Sequence, residues 1–368
     1  MSILKTVHEG HDATLTDRGG RETVLHYGRP ERTHAAVRNG AGVIEMAYDL
    51  LVVTGDDRLD YVDNAVSNRV PATDGEGVYA LLLTPQGRIR TEMYVYDAGE
   101  RLLVFLPPGT GPEIAEEWQE KTFIQDVEIA EATDSFGIFG VHGPKATETI
   151  ASVLTEGTPD EQLTFVRGTM GDAGVTVIRT DGLTGEEGYE VVCEADVARD
   201  VFDTLENRGL NAVPFGYQTW ESLTLEAGTP LFESELDGAV PNNLGLRNAV
   251  DFEKGCFVGQ EVVSRVENRG QATKRLVGLA LETVPDAGAT VFDGDETAGE
   301  ITRAVESPTR GQPLALALLD RETAIQVPDL TVTVRVDGEE VPAAGETLPF
   351  VEGSDTSARL PAYLEAAE

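Results

Sequence analysis

Hydrophobic residues in the first part of the chain repeat one pattern. A short apolar run is followed by a turn with glycine or an acidic residue, and then by a segment whose apolar residues lie three to four positions apart. The pattern occurs at residues 50–66, 136–153 and 189–209. Such runs predict buried strands, and such spacing predicts amphipathic helices. We therefore predict three strand-turn-helix units.

Hairpin-like segments lie between these units. Residues 78–83, 91–96 and 102–105 are apolar and rich in β-branched or aromatic residues, and the turns that separate them contain Pro85, Gly87 and Gly99. Short strands joined by such turns favour antiparallel and mixed pairing over a doubly wound parallel sheet. The sequence therefore predicts an α+β fold.

The pattern changes beyond Lys274. Short apolar segments separated by Gly, Pro and Asp occur at residues 276–281, 290–292, 299–304, 314–319 and 330–336. Short strands at this spacing predict a small closed barrel or sandwich of about eighty residues. We divide the chain into an α+β region of two intertwined subdomains at 1–270, a β-barrel at 271–352, and a small, acidic tail at 353–368 that we expect to fray.

Length and hydropathy exclude several classes of protein. A chain of 368 residues, 40% of them hydrophobic, exceeds what one compact core supports. The longest apolar run spans only residues 314–319, far short of a membrane helix, and the first residues lack the apolar core of a signal peptide. We expect a cytoplasmic protein with no membrane partner.

The net charge of −37 is the strongest feature of the composition. Such a surface repels nucleic acid, so we predict no nucleic-acid partner. Acidic residues are spread along the whole chain, and only five of the 28 cationic residues are lysines. Concentrated salt screens the self-repulsion of such a surface. We predict a salt-adapted source, a halophilic archaeon.

Motifs for nucleotide triphosphates, dinucleotides, zinc proteases, serine hydrolases and dithiols are absent from the sequence. The two cysteines, Cys193 and Cys256, provide neither a disulfide framework nor a cysteine-based zinc site. His8 and His11 form an HxxH pair, but two ligands without a third make a weak metal site. We predict no bound metal.

Residues 244–275 carry a local charge of +2 against the acidic background, because six cations meet four acids there. Either this stretch holds an anionic ligand, or its cations form salt bridges with its own acids. Within it, Lys254 and two glycines surround Cys256. A neighbouring ammonium favours a reactive thiolate, although a free cysteine in a tight turn is equally often a small hydrophobic residue.

The sequence of this stretch resembles a known family. The run KGCFVGQE at 254–261, followed by SR, NRG and KR, is similar to the signature of the YgfZ-type folate-binding proteins, relatives of the glycine-cleavage T-protein, an aminomethyltransferase. Segments 42–70, 141–150, 184–191 and 225–241 resemble the wider superfamily. The resemblance implies ferredoxin-like folate-binding domains around a central cavity, followed by a C-terminal β-barrel.

The resemblance also implies a ligand and its contacts. Tetrahydrofolate, or a one-carbon derivative of it, is the expected cofactor. Glu190 closes the TGExGxE motif and is expected to accept hydrogen bonds from the pterin, with Glu226 as a second anchor or a helix-end charge. The remaining expected cofactor-binding residues are Lys254, Gly255, Phe257, Gly259, Gln260, Glu261, Arg265, Arg269, Lys274 and Arg275.

Two functions follow from the resemblance. The first is a folate-binding protein that assists iron-sulfur cluster assembly or repair, with iron-sulfur assembly proteins as partners and Cys256 as its responsive group. The second is a folate-dependent aminomethyltransferase. Aminomethyltransferases place a catalytic aspartate in a GG[IV][IL]DDL segment, which reads GRIRTEM here, so Glu92 is the candidate general base. Leu183 and Thr224 also replace an aromatic residue and an arginine of the family pattern. The first function is the leading hypothesis from the sequence.

Overall fold

Two sheets and their helices form the region before residue 270. The computed structural model describes residues 2–269 and 272–363. In chain order the helices and strands of this region are α1 (Lys5–Gly10), β1 (Thr14–Arg18), β2 (Arg21–His26), α2 (Pro30–Asn39), β3 (Gly42–Glu45), β4 (Asp49–Thr54), α3 (Arg58–Ala65), β5 (Gly77–Leu83), β6 (Ile89–Asp97), β7 (Arg101–Leu106), α4 (Gly111–Lys121), β8 (Glu128–Glu131), β9 (Phe136–His142), α5 (Ala146–Ala151), β10 (Phe165–Met170), β11 (Ala173–Arg179), β12 (Gly188–Glu194), α6 (Ala198–Arg208), β13 (Val213–Pro214), α7 (Tyr217–Glu226) and α8 (Gln260–Arg269).

The strands form two large sheets and a small ribbon. The five-stranded sheet has the order β5-β6-β7-β4-β8, the six-stranded sheet has the order β10-β11-β12-β9-β3-β13, and β1 pairs with β2. Neighbouring strands in the five-stranded sheet are antiparallel, and in the six-stranded sheet only the short pairing of β13 with β3 is parallel among the described residues. The predicted antiparallel and mixed pairing is therefore present.

The two large sheets face each other across one apolar core. Tyr94 and Tyr96 of β6 point into this core, together with Ile138 of β9 and Val192 of β12. Because side chains alternate along a strand, Met93 and Val95 of β6 point to the opposite face, where α3 and α4 cover them. Helices α5 and α6 cover the outer face of the six-stranded sheet. A cavity between the sheets is thus enclosed by two helix-backed walls.

The three predicted strand-turn-helix units correspond to β4 and α3, β9 and α5, and β12 and α6. In the third, Val201, Phe202 and Leu205 are buried on one side of α6, and Gly209 follows the last helical residue. Among the described residues, no helix is both long enough and apolar enough to span a lipid bilayer.

A closed barrel follows as the second large unit, which confirms the predicted fold class of a mixed α/β region with a C-terminal β-barrel. Its elements are β14 (Lys274–Leu281), β15 (Thr290–Asp293), β16 (Glu296–Ser307), β17 (Gln312–Asp320), α9 (Arg321–Ala324), β18 (Thr331–Val336) and β19 (Glu339–Glu346). The strands close in the order β14-β17-β16-β15-β18-β19. Strand β19 escaped prediction because only Ala343 of its residues is buried, so it lacks an apolar run.

The chain returns from the barrel to the first region through residues 353–363, which we call the C-terminal segment. We expected residues 353–368 to fray, and residues 364–368 lie outside the described part. The C-terminal segment instead packs closely: the backbone N–H of Ala358 donates to the carbonyl of Asp181, and Arg359 is only 2% exposed. Composition misled us here, because small polar residues form this segment's hydrogen bonds to neighbouring loops.

Candidate functional site

A cleft between the two large sheets forms the candidate site. It consists of two narrow cavities of about 10 and 70 Å³, and Tyr48, Leu183 and Trp220 line both of them. These volumes are smaller than those that small-molecule ligands occupy, so a ligand enters the cleft only when its walls move apart. The walls are mainly aromatic and apolar, with a few charged groups, so the cleft suits a flat heterocycle that also carries hydrogen-bonding groups.

Glu190 lies on the wall of the smaller cavity. Strand β12 directs this side chain into the space between the sheets, where it is 5% exposed. Burial raises the pKa of Glu190 to about 7, although a hydrogen bond from Tyr48 and the positive charge of Arg359 oppose the shift. A buried carboxyl that titrates near neutrality gains most when a ligand presents N–H donors to it. Glu190 therefore lies where it can contact a ligand in the cavity.

Arg359, from the C-terminal segment, is the cation of the cleft. Its guanidinium lies 2.6 Å from a carboxylate oxygen of Glu92 and donates to the hydroxyl of Tyr94 at 2.7 Å. It also stacks over the ring of Tyr79, with 4.2 Å between the guanidinium carbon and the ring centroid. Such a planar cation, paired and stacked at once, is held in one orientation.

Glu92 and Asp181 complete the charges around Arg359. Glu92 accepts a second hydrogen bond from Tyr79 at 2.7 Å, and Asp181 accepts one from Tyr94 at 2.9 Å. Burial raises the pKa of both carboxyl groups, while Arg359 opposes the increase. One guanidinium thus contacts the half-buried Glu92 and lies near the buried carboxyl groups of Asp181 and Glu190, so an added positive or donor group is electrostatically favoured in this cleft.

The sequence identified only part of this constellation. Glu190 and Glu92 were candidates, and the structure brings them to one cleft, whereas Arg359, Asp181 and Tyr94 were not recognised. Asp181 and Tyr94 lie in segments that look like an ordinary turn and an ordinary strand. Arg359 offered one usable signal, since it is one of only 28 cations and lies in an otherwise acidic tail.

Glu226 lies outside the cleft and fastens three parts of the chain together. At the end of α7 it accepts hydrogen bonds from His34 and Arg38 of α2, at 3.1 and 3.0 Å. On the barrel side, Ser307 donates to it at 2.5 Å and the Thr309 hydroxyl at 2.8 Å. Burial would raise the pKa of Glu226, but these hydrogen bonds and charges lower it to about 2. At this position Glu226 does not reach a ligand in the cleft, although we expected it as a possible second anchor.

We expect the substitution Glu226→Gln to destabilise the protein by about 3 kcal/mol at pH 7, because a depression of the pKa from an ordinary 4.5 to about 2 stabilises the folded state by that amount. This stabilisation is fully present above pH 4.5 and disappears as the pH falls through 2. Urea unfolding at pH 7 and pH 3 measures the difference. Glu116→Gln, on the exposed side of α4, is the control. Equal stability of the two variants at pH 7 would contradict the prediction.

Lys254 binds the C-terminal end of α3. Its ammonium group is buried and donates to the backbone carbonyls of Asp63, in the last turn of α3, and of Val66 and Asn68 just beyond that helix. It also contacts a carboxylate oxygen of Asp63 at 3.1 Å, so four oxygens share its three donors. Cys256, by contrast, is exposed. Lys254 therefore stabilises the end of a helix, and its predicted effect on Cys256 has no geometric basis.

The other expected ligand-binding residues of this stretch also lie outside the cleft. Residues 255–265 form an exposed turn and the helix α8, and Lys274 and Arg275 begin the barrel. Phe257 is buried in the apolar core, and Arg247 pairs with Glu267. The side chain of Arg269 lies outside the described residues. Neither cavity around Glu190 is lined by any of the following described residues: Gly255, Phe257, Gly259, Gln260, Glu261, Arg265, Lys274 and Arg275.

We expect the rate at which Cys256 reacts with iodoacetamide to depend on pH in the same way in the unmodified protein and in the Lys254→Met variant. The reason is that the Lys254 ammonium is committed to backbone carbonyls and buried away from the exposed thiol. Mass spectrometry of alkylated peptides gives the rate, and the buried Cys193 serves as the internal control. A profile that moves to higher pH in the variant would restore the activating role of Lys254.

Metal binding has no support in the described part of the chain, where no group of three or more His, Cys, Asp or Glu side chains is arranged to hold an ion. His8, one of the HxxH pair, instead contacts Glu45 at 2.6 Å and Tyr27 at 2.7 Å.

Similar proteins are known for both regions of the chain. Residues 4–254 match the GCVT N-terminal domain, and residues 274–352 match the glycine cleavage T-protein C-terminal barrel domain. A protein named aminomethyltransferase from Streptomyces coelicolor is 31% identical over 362 residues, which cover 95% of this chain and 96% of the relative. Another, from Bacillus subtilis, is 30% identical, with coverages of 87% and 91%.

A solved structure shares the fold. The crystal structure of glycine cleavage system aminomethyltransferase T from Bartonella henselae matches with a TM-score of 0.85 at 21% identity, covering 96% of this chain and 99% of that one. At this identity the likeness concerns the fold alone.

The leading hypothesis from the sequence was wrong. We expected a YgfZ-type protein that assists iron-sulfur cluster assembly, but the similar proteins along nearly the whole chain are named aminomethyltransferase. Iron-sulfur assembly proteins therefore have no support as partners. The KGCFVGQE run misled us because it carries structural contacts, such as those of Lys254 and Phe257, and lies away from the cleft.

Proposed function

Because the chain belongs to the glycine-cleavage T-protein family, we propose that it binds tetrahydrofolate between its two large sheets and transfers a one-carbon unit, as an aminomethyltransferase does. The predicted membership of the aminomethyltransferase superfamily is confirmed by these matches. The single observation that carries the proposal is Glu190, a buried carboxyl group in an aromatic cleft that also contains Glu92 and Arg359.

The residues of the cleft fit a reduced folate. The pterin ring presents an N–H and an exocyclic amine side by side, and a carboxylate accepts such a pair in a bidentate manner. Glu190 provides that carboxylate, and the aromatic rings of Tyr48, Tyr96 and Trp220 line the space around it. Arg18 lines the larger cavity, where it pairs with Glu221 at 2.9 Å and with Glu233 at 2.8 Å. A cation at this position suits the anionic tail of the ligand.

Glu190 is proposed to orient the pterin. In the ligand-free protein its carboxyl is partly protonated near pH 7, because burial raises its pKa to about 7. Two N–H donors favour the carboxylate form, so ligand binding and proton release from Glu190 are coupled. We therefore expect the affinity for tetrahydrofolate to increase as the pH rises from 6 to 8.

Bound tetrahydrofolate would supply two ring-associated amines that form C–N bonds to the methylene carbon of an aminomethyl-lipoyl donor, while the donor's C–S and C–N bonds break and the two amine protons leave with the lipoyl thiol and ammonia. Glu92 is proposed to accept the proton that the attacking amine loses. Its carboxylate lines the larger cavity, and Tyr79 and Arg359 hold one of its oxygens by hydrogen bonds of 2.7 and 2.6 Å. The second carboxylate oxygen of Glu92 is therefore held in one orientation, in which it can accept a proton. Arg359 also compensates the negative charge that would otherwise repel Glu190. Cys256 has no place in this step.

We expect the Glu92→Gln variant to lose at least a hundredfold in the rate of methylenetetrahydrofolate formation while retaining tetrahydrofolate binding, because general-base catalysis contributes about 10² to 10⁴ in rate. The assay uses tetrahydrofolate and an aminomethyl-lipoyl donor in concentrated salt, and calorimetry measures binding. The control is Glu194→Gln, an exposed carboxylate on β12.

The outcomes separate the two parts of the proposal. Folate binding without turnover in the unmodified protein would overturn the assignment as a transferase but not the assignment of the ligand. Absence of binding would overturn the ligand assignment itself. Full activity of Glu92→Gln would show that another group accepts the proton.

A further inference from the structure

His142 is a buried imidazole in the cleft that the proposed reaction does not use. It lies on β9, lines the smaller cavity and is 1% exposed. Neither of its ring nitrogens has a hydrogen-bond partner among the described residues. Burial lowers the pKa of His142 to about 3, so the ring is neutral at pH 7, with one nitrogen as donor and the other as acceptor.

A second unsatisfied group lies next to it. The hydroxyl of Thr180 lines the same cavity, is buried, and also lacks a partner among the described residues. Gly188 makes room for both groups, since a Cβ there would lie 2.4 Å from the Thr180 hydroxyl oxygen and 2.6 Å from His142 Nδ1. The three residues form a polar notch in the cavity wall, which we call the Gly188 notch.

The register of the strands places the Gly188 notch beside Glu190. His142 pairs with Gly188, and Gly140 pairs with Glu190, so His142 and Glu190 are diagonal neighbours on one face of the sheet. Such neighbours are about 7 Å apart, a distance that a fused two-ring heterocycle spans. Buried polar groups in folded proteins almost always have partners, so two unsatisfied ones beside a ligand carboxylate indicate missing ligand atoms.

The chemistry of the notch is opposite to that of Glu190. Glu190 accepts hydrogen bonds, whereas Thr180 and one nitrogen of His142 donate them. Two other polar groups that line the cavity already have partners, because Tyr94 donates to Asp181 and accepts from Arg359, and Tyr48 forms a hydrogen bond with Glu190. In a cyclic amide, the carbonyl oxygen lies directly beside the N–H. A ring whose N–H faces Glu190 therefore carries its carbonyl toward the notch.

We propose that the Gly188 notch binds the ring carbonyl oxygen of the pterin and so selects 4-oxo over 4-amino pteridines. This inference rests on the proposed function, since it assigns a specificity contact within the same site. His142 and Thr180 act as a pair of donors to the oxygen. A 4-amino ring presents its own N–H groups at this position, so it binds only if the Thr180 hydroxyl rotates and His142 takes its other tautomer to accept them.

The test measures the affinity of the full-length protein for two probes, tetrahydrofolate and its 4-amino-4-deoxy analogue, by calorimetry. The variants are His142→Phe and Thr180→Val, which keep size and remove hydrogen-bonding groups. We expect each to weaken tetrahydrofolate binding about tenfold while changing analogue binding much less, so that discrimination between the probes falls. Thr176→Val, on β11 four residues before Thr180 and outside both cavities, is the control.

Each outcome has a definite meaning. Equal losses for both probes would show that His142 and Thr180 only pack the cavity, and unchanged affinities would show that the notch does not touch the ligand; either result overturns the inference. Failure of the unmodified protein to bind tetrahydrofolate would overturn the proposed function and this inference together. If Glu190→Gln abolishes tetrahydrofolate binding while His142→Phe and Thr180→Val both still discriminate between the two probes, the inference about the Gly188 notch is overturned and the proposed function is not.

Discussion

Replacing Glu190 with glutamine is expected to weaken tetrahydrofolate binding at least a hundredfold and, at the same time, to stabilise the ligand-free protein at alkaline pH. The loss of affinity follows because two charge-assisted hydrogen bonds, each contributing about 1.5–3 kcal/mol, lose their charged acceptor. Glutamine has nearly the same shape, so the cavity keeps its form and the change in affinity reports the charge.

The gain in stability follows from the raised pKa of Glu190. In the unfolded chain the carboxyl ionises near its ordinary pKa of 4.5, whereas in the folded protein it resists ionisation until about pH 7. Below pH 4.5 the group is protonated in both states and has no effect on stability. As the pH rises through 7 the folded state loses about 3 kcal/mol relative to the unfolded state. Glutamine removes this loss.

Thermal unfolding at pH 5 and pH 8, together with calorimetry of tetrahydrofolate binding, measures both effects. We expect the Glu190→Gln variant to be more stable than the unmodified protein at pH 8, with a smaller difference at pH 5. Glu194→Gln, four residues further along the same strand and exposed, should match the unmodified protein in both assays. A variant that binds tetrahydrofolate normally would exclude Glu190 from the ligand contact.

Replacing Arg359 with leucine is expected to destabilise the protein by about 3–5 kcal/mol at pH 8. Removal of one partner from a buried ion pair leaves the remaining charge uncompensated, and here Glu92 and Asp181 both lose their counter-ion. The destabilisation should be smaller at pH 5, because the two carboxyl groups then become protonated more easily.

A double variant separates charge from packing in this prediction. Glu92→Gln combined with Arg359→Leu should recover part of the lost stability, since one of the uncompensated carboxylates is gone. Arg335→Leu is the control, because Arg335 forms an exposed pair with Glu340 at 3.6 Å and such pairs contribute little. Urea unfolding of the four proteins gives the coupling free energy. An Arg359→Leu variant as stable as the unmodified protein would show that solvent already compensates these carboxyl groups.

Local patterns predicted most of the architecture. The apolar runs before α3, α5 and α6 gave the strand-turn-helix units, because buried strands and amphipathic helices impose different spacings on the same residues. The barrel strands were recognisable for the same reason, apart from β19, whose single buried side chain leaves no pattern. How the two large sheets pack against each other was not predictable, since that arrangement depends on contacts between residues far apart in sequence.

The site was only partly predictable, because the sequence does not show which charged side chains contact one another. Glu190 was recognised through a family motif, but its partners come from β6, from the loop after β11 and from the C-terminal segment, and nothing in the sequence relates these positions to one another. The cationic stretch around Cys256 misled us because local charge does not show what each charge contacts. Arg247 and Lys254 turned out to pair with acids of the same protein. The salt-adapted origin inferred from the composition stays a prediction.

Because Arg359 comes late in the chain, the sheets around the cleft are synthesised before the cation that pairs with their buried carboxyl groups. Both sheets are complete in the nascent chain long before residue 359 leaves the ribosome, yet until then Glu92 and Asp181 lack the cation that makes their burial favourable. Domains fold largely as they emerge, so the newly made α+β region passes through a period with an open and acidic interior.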